Sequence, residues 1–271
     1  MLHARRLASA VVVASLALAG VSGCRSEPSV AAYMGSAGDI SEKEVDEVWT
    51  EAYDALTAQA KAEASAAERA QRETEATRKA AGEEITPAPT VTAERAQVPF
   101  TRTDVLQALV GQEIYGRLAT KHSVQLPADV PYAEFAAQRK LPADSTFAKL
   151  YIDNYYLRGL LTQSLVSTGA APADEDMRFV YDQLAANGGV QPGQDYAAWK
   201  AAQGEQNLQA VAAAAKLREE VEATADELHV KLNPRYAFDL TVLGIEAEAG
   251  PLDLLTADFD DQWAVPVDDK S

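Results

Sequence analysis

The stretch from Phe147 to Leu165 limits the possible folds more than any other part of this chain. Phe147, Leu150, Tyr151, Ile152, Tyr155, Tyr156, Leu157, Leu160, Leu161 and Leu165 all fall within it, and on a helix they reach nearly the whole circumference. A helix that is apolar on every side must be enclosed by other elements or form one wall of an apolar groove. The rest of the sequence supplies the enclosing elements. Behind Ser41, with Glu44 in the capping-box position, Val45, Val48, Trp49, Ala52 and Leu56 recur at steps of three and four. Thr103-Asp104 read as the cap and first turn of a helix that carries Leu106, Leu109, Val110, Ile114 and Leu118. After Pro127 and Pro131, residues Tyr132 to Lys140 form a short helix, and Asp144 or Ser145 caps the central one. A further helix starts near Pro172-Ala173-Asp174, faces inward with Met177, Val180, Tyr181 and Leu184, and stops at Asn187-Gly188-Gly189. One long helix from about Asp195 to Glu227 follows, carrying Trp199, Leu208, Val211, Ala215 and Val221. The expected fold class is mainly α, a multi-helix domain.

Two short apolar segments read as strands, Val30 to Met34 near the start and Leu228 to Leu232 near the end. Between Ala58 and Glu84 the large apolar residues vanish and alanine alternates with Glu, Lys, Arg and Gln. Helix propensity there is high, yet nothing large is available to bury. The expectation is a solvent-exposed helical extension running into a Pro-rich loop, Ile85 to Pro99. The domain is thus expected over 30–240, with 58–99 as an extension, and an acidic C-terminal tail over 241–271 that is loosely held after Gly250.

The first residues address the chain. Arg5 and Arg6 precede an apolar run from Leu7 to Ala19, shorter than the roughly twenty helical residues that cross a bilayer. A basic start, a short apolar core and small residues before a cut site describe a signal peptide, here 1–23. The cut site, Val21-Ser22-Gly23-Cys24, resembles the bacterial lipobox. That resemblance implies diacylglyceryl modification of Cys24, cleavage on its amino side, and a short tether over 24–29. Cys24 is the only cysteine, so neither an intrachain disulfide nor a thiolate metal cluster can form. Each buried acyl CH₂ contributes about 0.8 kcal/mol, so several acyl chains hold a protein firmly at a membrane. The expected location is the extracytoplasmic face of a cell membrane, reached through the lipid.

The formal net charge of −17 becomes −19 once Arg5 and Arg6 leave with the leader. That sign repels nucleic-acid phosphates and anionic headgroups, so no nucleic acid is expected as a partner. Catalytic signatures are missing as well. Only His122 and His229 survive in the mature chain, neither in a metal-ligand spacing, and no GxSxG, Walker or GxGxxG motif occurs. Asp174-Glu175-Asp176, Asp258, Asp260, Asp261 and Asp268-Asp269 sit at a helix start or in the acidic tail, where solvation accounts for them. No enzyme activity, catalytic residue, metal or other cofactor is expected.

Three segments carry a family resemblance. Val30-Ala31-Ala32-Tyr33-Met34 with Ile40-Ser41-Glu42-Lys43-Glu44-Val45-Asp46 forms a strand, turn and helix start. Ala173 to Tyr181 forms a short helix behind an Ala-Asp cap. Val230-Lys231-Leu232-Asn233-Pro234-Arg235-Tyr236 closes the set, with Ala237 where the family pattern has glycine. Together they resemble the N-terminal domain of SurA and the related PrsA-type extracytoplasmic foldases, in the short lipoprotein form found in actinobacteria. The resemblance implies a SurA-N-like peptide-binding domain in which a small two-stranded β element joins the N- and C-terminal parts. A parvulin isomerase module, present in SurA and PrsA, has no room here. The implied function is a chaperone-like role, binding unfolded or exported polypeptides without isomerase chemistry. The candidate groove residues are Phe147, Tyr151, Tyr155, Tyr156 and Leu160. The alternative is a structural or scaffolding lipoprotein that binds one dedicated envelope partner through its helical surface, with Ala58 to Glu84 as a contact arm. A solute- or metal-binding lipoprotein lacks the α/β repeats and ligand clusters it would need.

Overall fold

The structure is a computed structural model that describes residues 29–82, 98–167, 171–247 and 250–259. The expected leader, Cys24, the tether before residue 29, most of the Pro-rich segment expected as a loop (83–97) and residues 260–271 lie outside them. The fold is mainly helical with two small antiparallel sheets.

Strand β1 (Val30–Tyr33) leads through a 3-10 turn at Gly35–Ala37 to β2 (Ile40–Ser41) and helix α1 (Glu42–Ala80). The Ser41 side chain accepts the Glu44 backbone N–H at 3.1 Å, the cap expected from the sequence. Only Val45 and Ala52 of α1 are fully buried. Beyond residue 57 the helix is exposed almost throughout, and at about 1.5 Å per residue that stretch projects for about 35 Å. Polar pairs one turn apart support it, including Gln59 with Glu63 at 2.9 Å and Gln71 with Glu75 at 3.0 Å.

Helices α2 (Arg102–His122), α3 (Tyr132–Gln138) and α4 (Thr146–Ser164) follow. Thr101 rather than Thr103 caps α2, in a reciprocal capping box with Asp104. Ser145 caps α4. As its all-round apolar pattern requires, α4 is central, packed against α1, α2, α3 and the later helix α7 (Glu205–Glu227). Ile152 and Leu161 are fully buried within it. Side chains of that size each contribute about 1.5–3 kcal/mol of burial.

Helix α5 (Asp174–Ala186) precedes α6 (Tyr196–Ala201). The single helix expected from Asp195 to Glu227 is broken into α6 and α7. Gly204 stands at the N-cap of α7 with an extended backbone, a conformation that suits glycine better than a helix interior does.

Strand β3 (Lys231–Leu232) pairs antiparallel with β1, Ala32 opposite Leu232 and Tyr33 opposite Lys231. The two ends of the helical domain are thus joined as expected, although β2 adds a third strand in the order β2-β1-β3. The paired segment is shorter than Leu228 to Leu232, because Leu228 and His229 complete the end of α7. His229 takes the left-handed conformation (φ 50°), and the Val230 N–H returns to the Ala225 carbonyl at 2.9 Å. Asn233 fastens the junction: its backbone N–H reaches the Ala31 carbonyl at 2.8 Å and its side-chain amide the Val30 carbonyl at 2.9 Å.

The segment after residue 240 is no loose tail over its first half. Strands β4 (Leu240–Ala247) and β5 (Gly250–Ala257) form an antiparallel hairpin. Leu240, Val242, Leu254, Leu255 and Ala257 are buried, and the hairpin packs on α5 and α7. Its apolar residues reach the core, while Glu246 and Asp253 remain exposed, so an acidic composition coexists with a packed strand pair.

Candidate functional site

The hairpin creates a site that the helices alone would lack. A cleft of about 240 Å³ opens between α2, α4 and β4–β5. Its helical wall carries Tyr151, Asn154, Tyr155 and Arg158 at successive turns of α4, with Gln107, Ala108 and Tyr115 from α2. Leu240, Thr241, Ile245 and Leu252 come from the hairpin, with Glu246 and Asp253 at its exposed edge.

Several contacts fix this arrangement. The Tyr115 hydroxyl donates to the Thr241 carbonyl at 2.7 Å, and Gln107 donates to the Asp239 carbonyl at 2.6 Å. Burial pushes the Tyr115 phenol well above the usual tyrosine range, opposed by Arg158 and reinforced by Asp253. Arg139, which follows α3, pairs with Glu246 across the cleft mouth. On α4, Asn154 donates its amide N–H to the Ala108 carbonyl at 2.7 Å. That bond sets which way the amide points, and its buried Oδ1 has no hydrogen-bond donor among the described residues. The Arg158 guanidinium lies over the Tyr155 ring at 5.2 Å. Among the described residues Arg158 forms no ion pair. The cleft is therefore aromatic and polar rather than purely apolar.

The five candidate groove residues separate. Tyr151 and Tyr155 line the cleft. Phe147 is 1% exposed and packs on Phe100 in a tilted ring pair, with centroids 4.8 Å apart, so it belongs to the core. Tyr156 is half-buried against Phe135 and Tyr155. Leu160 is half-buried on α4 away from the cleft. Reasoning from the sequence passed over Asn154 and Arg158. Their signal was their polarity inside an otherwise apolar helix, where each buried polar group needs a partner.

The other residues singled out have structural roles. His122 Nε2 lies 2.6 Å from Glu220, which Lys121 also contacts at 3.0 Å. His229 caps α7 as described. Asp174 binds Lys200 and the Tyr196 hydroxyl, and these hydrogen bonds hold its carboxyl below the usual range. Asp176, by contrast, is buried and paired with Arg218 at 2.8 Å. Among the described residues no group of three or more His, Cys, Asp or Glu side chains is placed to hold a metal. Within them, too, no helix is long and apolar enough to cross a membrane.

No family model, curated protein or solved structure matches this chain. The resemblance to SurA-type domains rests on its sequence motifs alone, and the functional reading rests on the cleft and its surroundings.

Proposed function

We propose that the mature protein is a lipid-anchored, extracytoplasmic polypeptide-binding protein. It holds a short stretch of extended chain in the α2–α4–hairpin cleft, chaperone-like and without isomerase or other catalytic chemistry. One observation carries the reading: Tyr151 and Tyr155 stand together on the cleft wall next to Asn154, whose Oδ1 takes no hydrogen bond among the described residues, and Arg158, which forms no ion pair among them. Tyrosine offers apolar contact with a polar tip, and a concave site with a few convergent polar groups is how proteins hold small ligands and segments. The leader and the Val21-Ser22-Gly23-Cys24 sequence support the location.

The test uses the soluble form beginning after Cys24, mixed with a denatured client that aggregates, with light scattering followed at low and high salt. Suppression near equimolar ratios that survives salt and is lost in a Tyr151→Ala/Tyr155→Ala double variant supports the reading. Suppression no better than that of an inert acidic protein sinks it. For the anchor, Cys24→Ser is expected to release the protein from the membrane fraction; unchanged retention would overturn lipid attachment.

A second reading is favoured by a different observation. The large apolar residues exposed among those described are Val166 in the loop after α4, Phe179 on α5 and Ile245 on β4, whereas the far half of α1 projects as a polar arm. A surface of that kind suits one dedicated envelope partner better than indiscriminate capture of unfolded chains. If light scattering shows no suppression, this scaffolding role becomes the leading reading.

A further inference from the structure

We propose that the cleft is specific for a terminal α-carboxylate with an N–H donor beside it, the chemistry of a polypeptide C-terminus. The inference rests on the polypeptide-binding reading and names the part of the chain that enters.

Three features of the cleft lead there. The first is Arg158, whose guanidinium forms no ion pair among the described residues, while the neighbouring Arg139 is occupied by Glu246. A guanidinium presents N–H donors in a planar fork that matches a carboxylate with two parallel hydrogen bonds. Arg158 is also held in place by Tyr155 beneath it, so less side-chain freedom is lost when it binds.

The second is Asn154 Oδ1, a buried acceptor that takes no hydrogen bond among the described residues. The atom is closed off from solvent in this structure, so a ligand's N–H reaches it as the side chain shifts toward the cleft, and the match recovers the free energy that leaving it unmatched costs. It lies four residues before Arg158 on α4, hence on the same helix face. A chain terminus carries both complements in one residue, a carboxylate and the amide N–H of that residue. An interior segment has the N–H groups but no carboxylate of its own backbone.

The third is the shape of the wall. Tyr151 and Tyr155 present ring surface on the same face, and about 240 Å³ accommodates one or two residues rather than a long strand. Free amino acids share the same chemistry, and their ammonium group has Asp253 at the rim to meet it.

Calorimetric titration of the soluble mature chain separates these cases. The probes are an N-acetylated pentapeptide of alanine and leucine with a free C-terminal carboxylate, the same peptide ending in a carboxamide, and free leucine. The free-acid peptide is expected to bind about ten- to a hundredfold more tightly than the carboxamide, the worth of a charge-assisted hydrogen-bond pair. Arg158→Gln should erase that difference, with Arg158→Lys retaining part of it, and both variants should keep the wild-type circular dichroism spectrum. Equal binding of the two peptides overturns the carboxylate inference and leaves the polypeptide reading standing. Suppressed client aggregation with no binding of either peptide does the same. Free leucine binding as tightly as the peptide acid keeps the carboxylate chemistry but overturns the polypeptide source, and with it the function proposed above. A peptide preference that survives Arg158→Gln overturns the assignment to this cleft.

Discussion

A Cβ placed on Gly35 would stand 2.5 Å from the Leu228 carbonyl oxygen. The turn after β1 therefore rests directly on the end of α7, and Gly35 also holds a left-handed backbone (φ 47°). The obstacle is main chain, which cannot swing aside as a side chain can. Gly35→Ala is expected to cost about 2–4 kcal/mol, combining backbone strain with overpacking. A fall in the urea midpoint checks it; an unchanged midpoint would mean that the turn can move off α7.

Gly111 on α2 gives a different outcome. A Cβ there would meet the Asn154 amide nitrogen at 2.8 Å, a side-chain atom. Alanine brings about 1 kcal/mol of helix propensity, while displacing Asn154 strands its buried amide at about 1–3 kcal/mol. Gly111→Ala should thus destabilise by only about 1 kcal/mol, yet weaken binding in the cleft far more than that small change in stability implies. Thermal unfolding and peptide titration on the same variant separate the two effects.

Asn233 is 4% exposed, and its side chain holds the Val30 carbonyl while its Oδ1 accepts the Arg235 N–H at 3.2 Å. Asn233→Ala leaves both backbone groups unmatched and should cost about 2–3 kcal/mol. Hydrogen exchange should quicken first in β1 and β3, ahead of α4.

Acid should act partly through Glu220. Burial alone would raise its pKa, but hydrogen bonds from His122 and Lys121, with their charges, lower it below the usual 4.5. A depressed carboxylate stabilises the fold fully above its unfolded value, and that contribution is lost as pH falls through the folded one. Glu220→Gln should therefore lower stability by about 1 kcal/mol near neutrality. The gap from wild type should close on acidification below about pH 4, as pH-dependent urea unfolding would show. A gap independent of pH would remove Glu220 from acid sensitivity.

The far half of α1 should melt on its own. Glycine at Ala66 and Ala67 costs about 1 kcal/mol per site within the arm, but that stretch buries nothing in the core. Helical ellipticity should drop while the cooperative unfolding midpoint stays put. A shifted midpoint would show that the arm supports the domain.

The helices were legible because their signal is local. Leu106, Val110 and Ile114, spaced by four, define an inner face whatever else the chain does, and all three are buried. The link between Val30–Met34 and the segment near Leu232 was legible only through the family resemblance, since periodicity cannot pair strands two hundred residues apart. The terminal hairpin was not legible. Gly244, Gly250 and Pro251 interrupt its apolar alternation, and its acidic residues suggested solvent. Half the cleft was hidden with it: Tyr151 and Tyr155 could be picked out on α4, but what faces them depends on where that hairpin docks. Asp176 shows the same limit. In sequence it belongs to a solvated acidic cap, and only the packing of α5 on α7 brings Arg218, 42 positions away, to its carboxylate.

The bond between Val30 and Asn233 spans 203 residues. A strand made first cannot find its partner until almost the entire domain has been synthesised, a wait of about 10–40 s at about 5–20 residues per second. During that interval its unpaired edge is available to any neighbouring chain. Helices α1, α2 and α4 form from local contacts and can collapse early, so closure of the domain becomes the late, slow event in folding. Under the proposed export of the chain, N-terminus first, the clasp could not engage until Asn233 had emerged, and a nascent molecule stalled before that point would be held open.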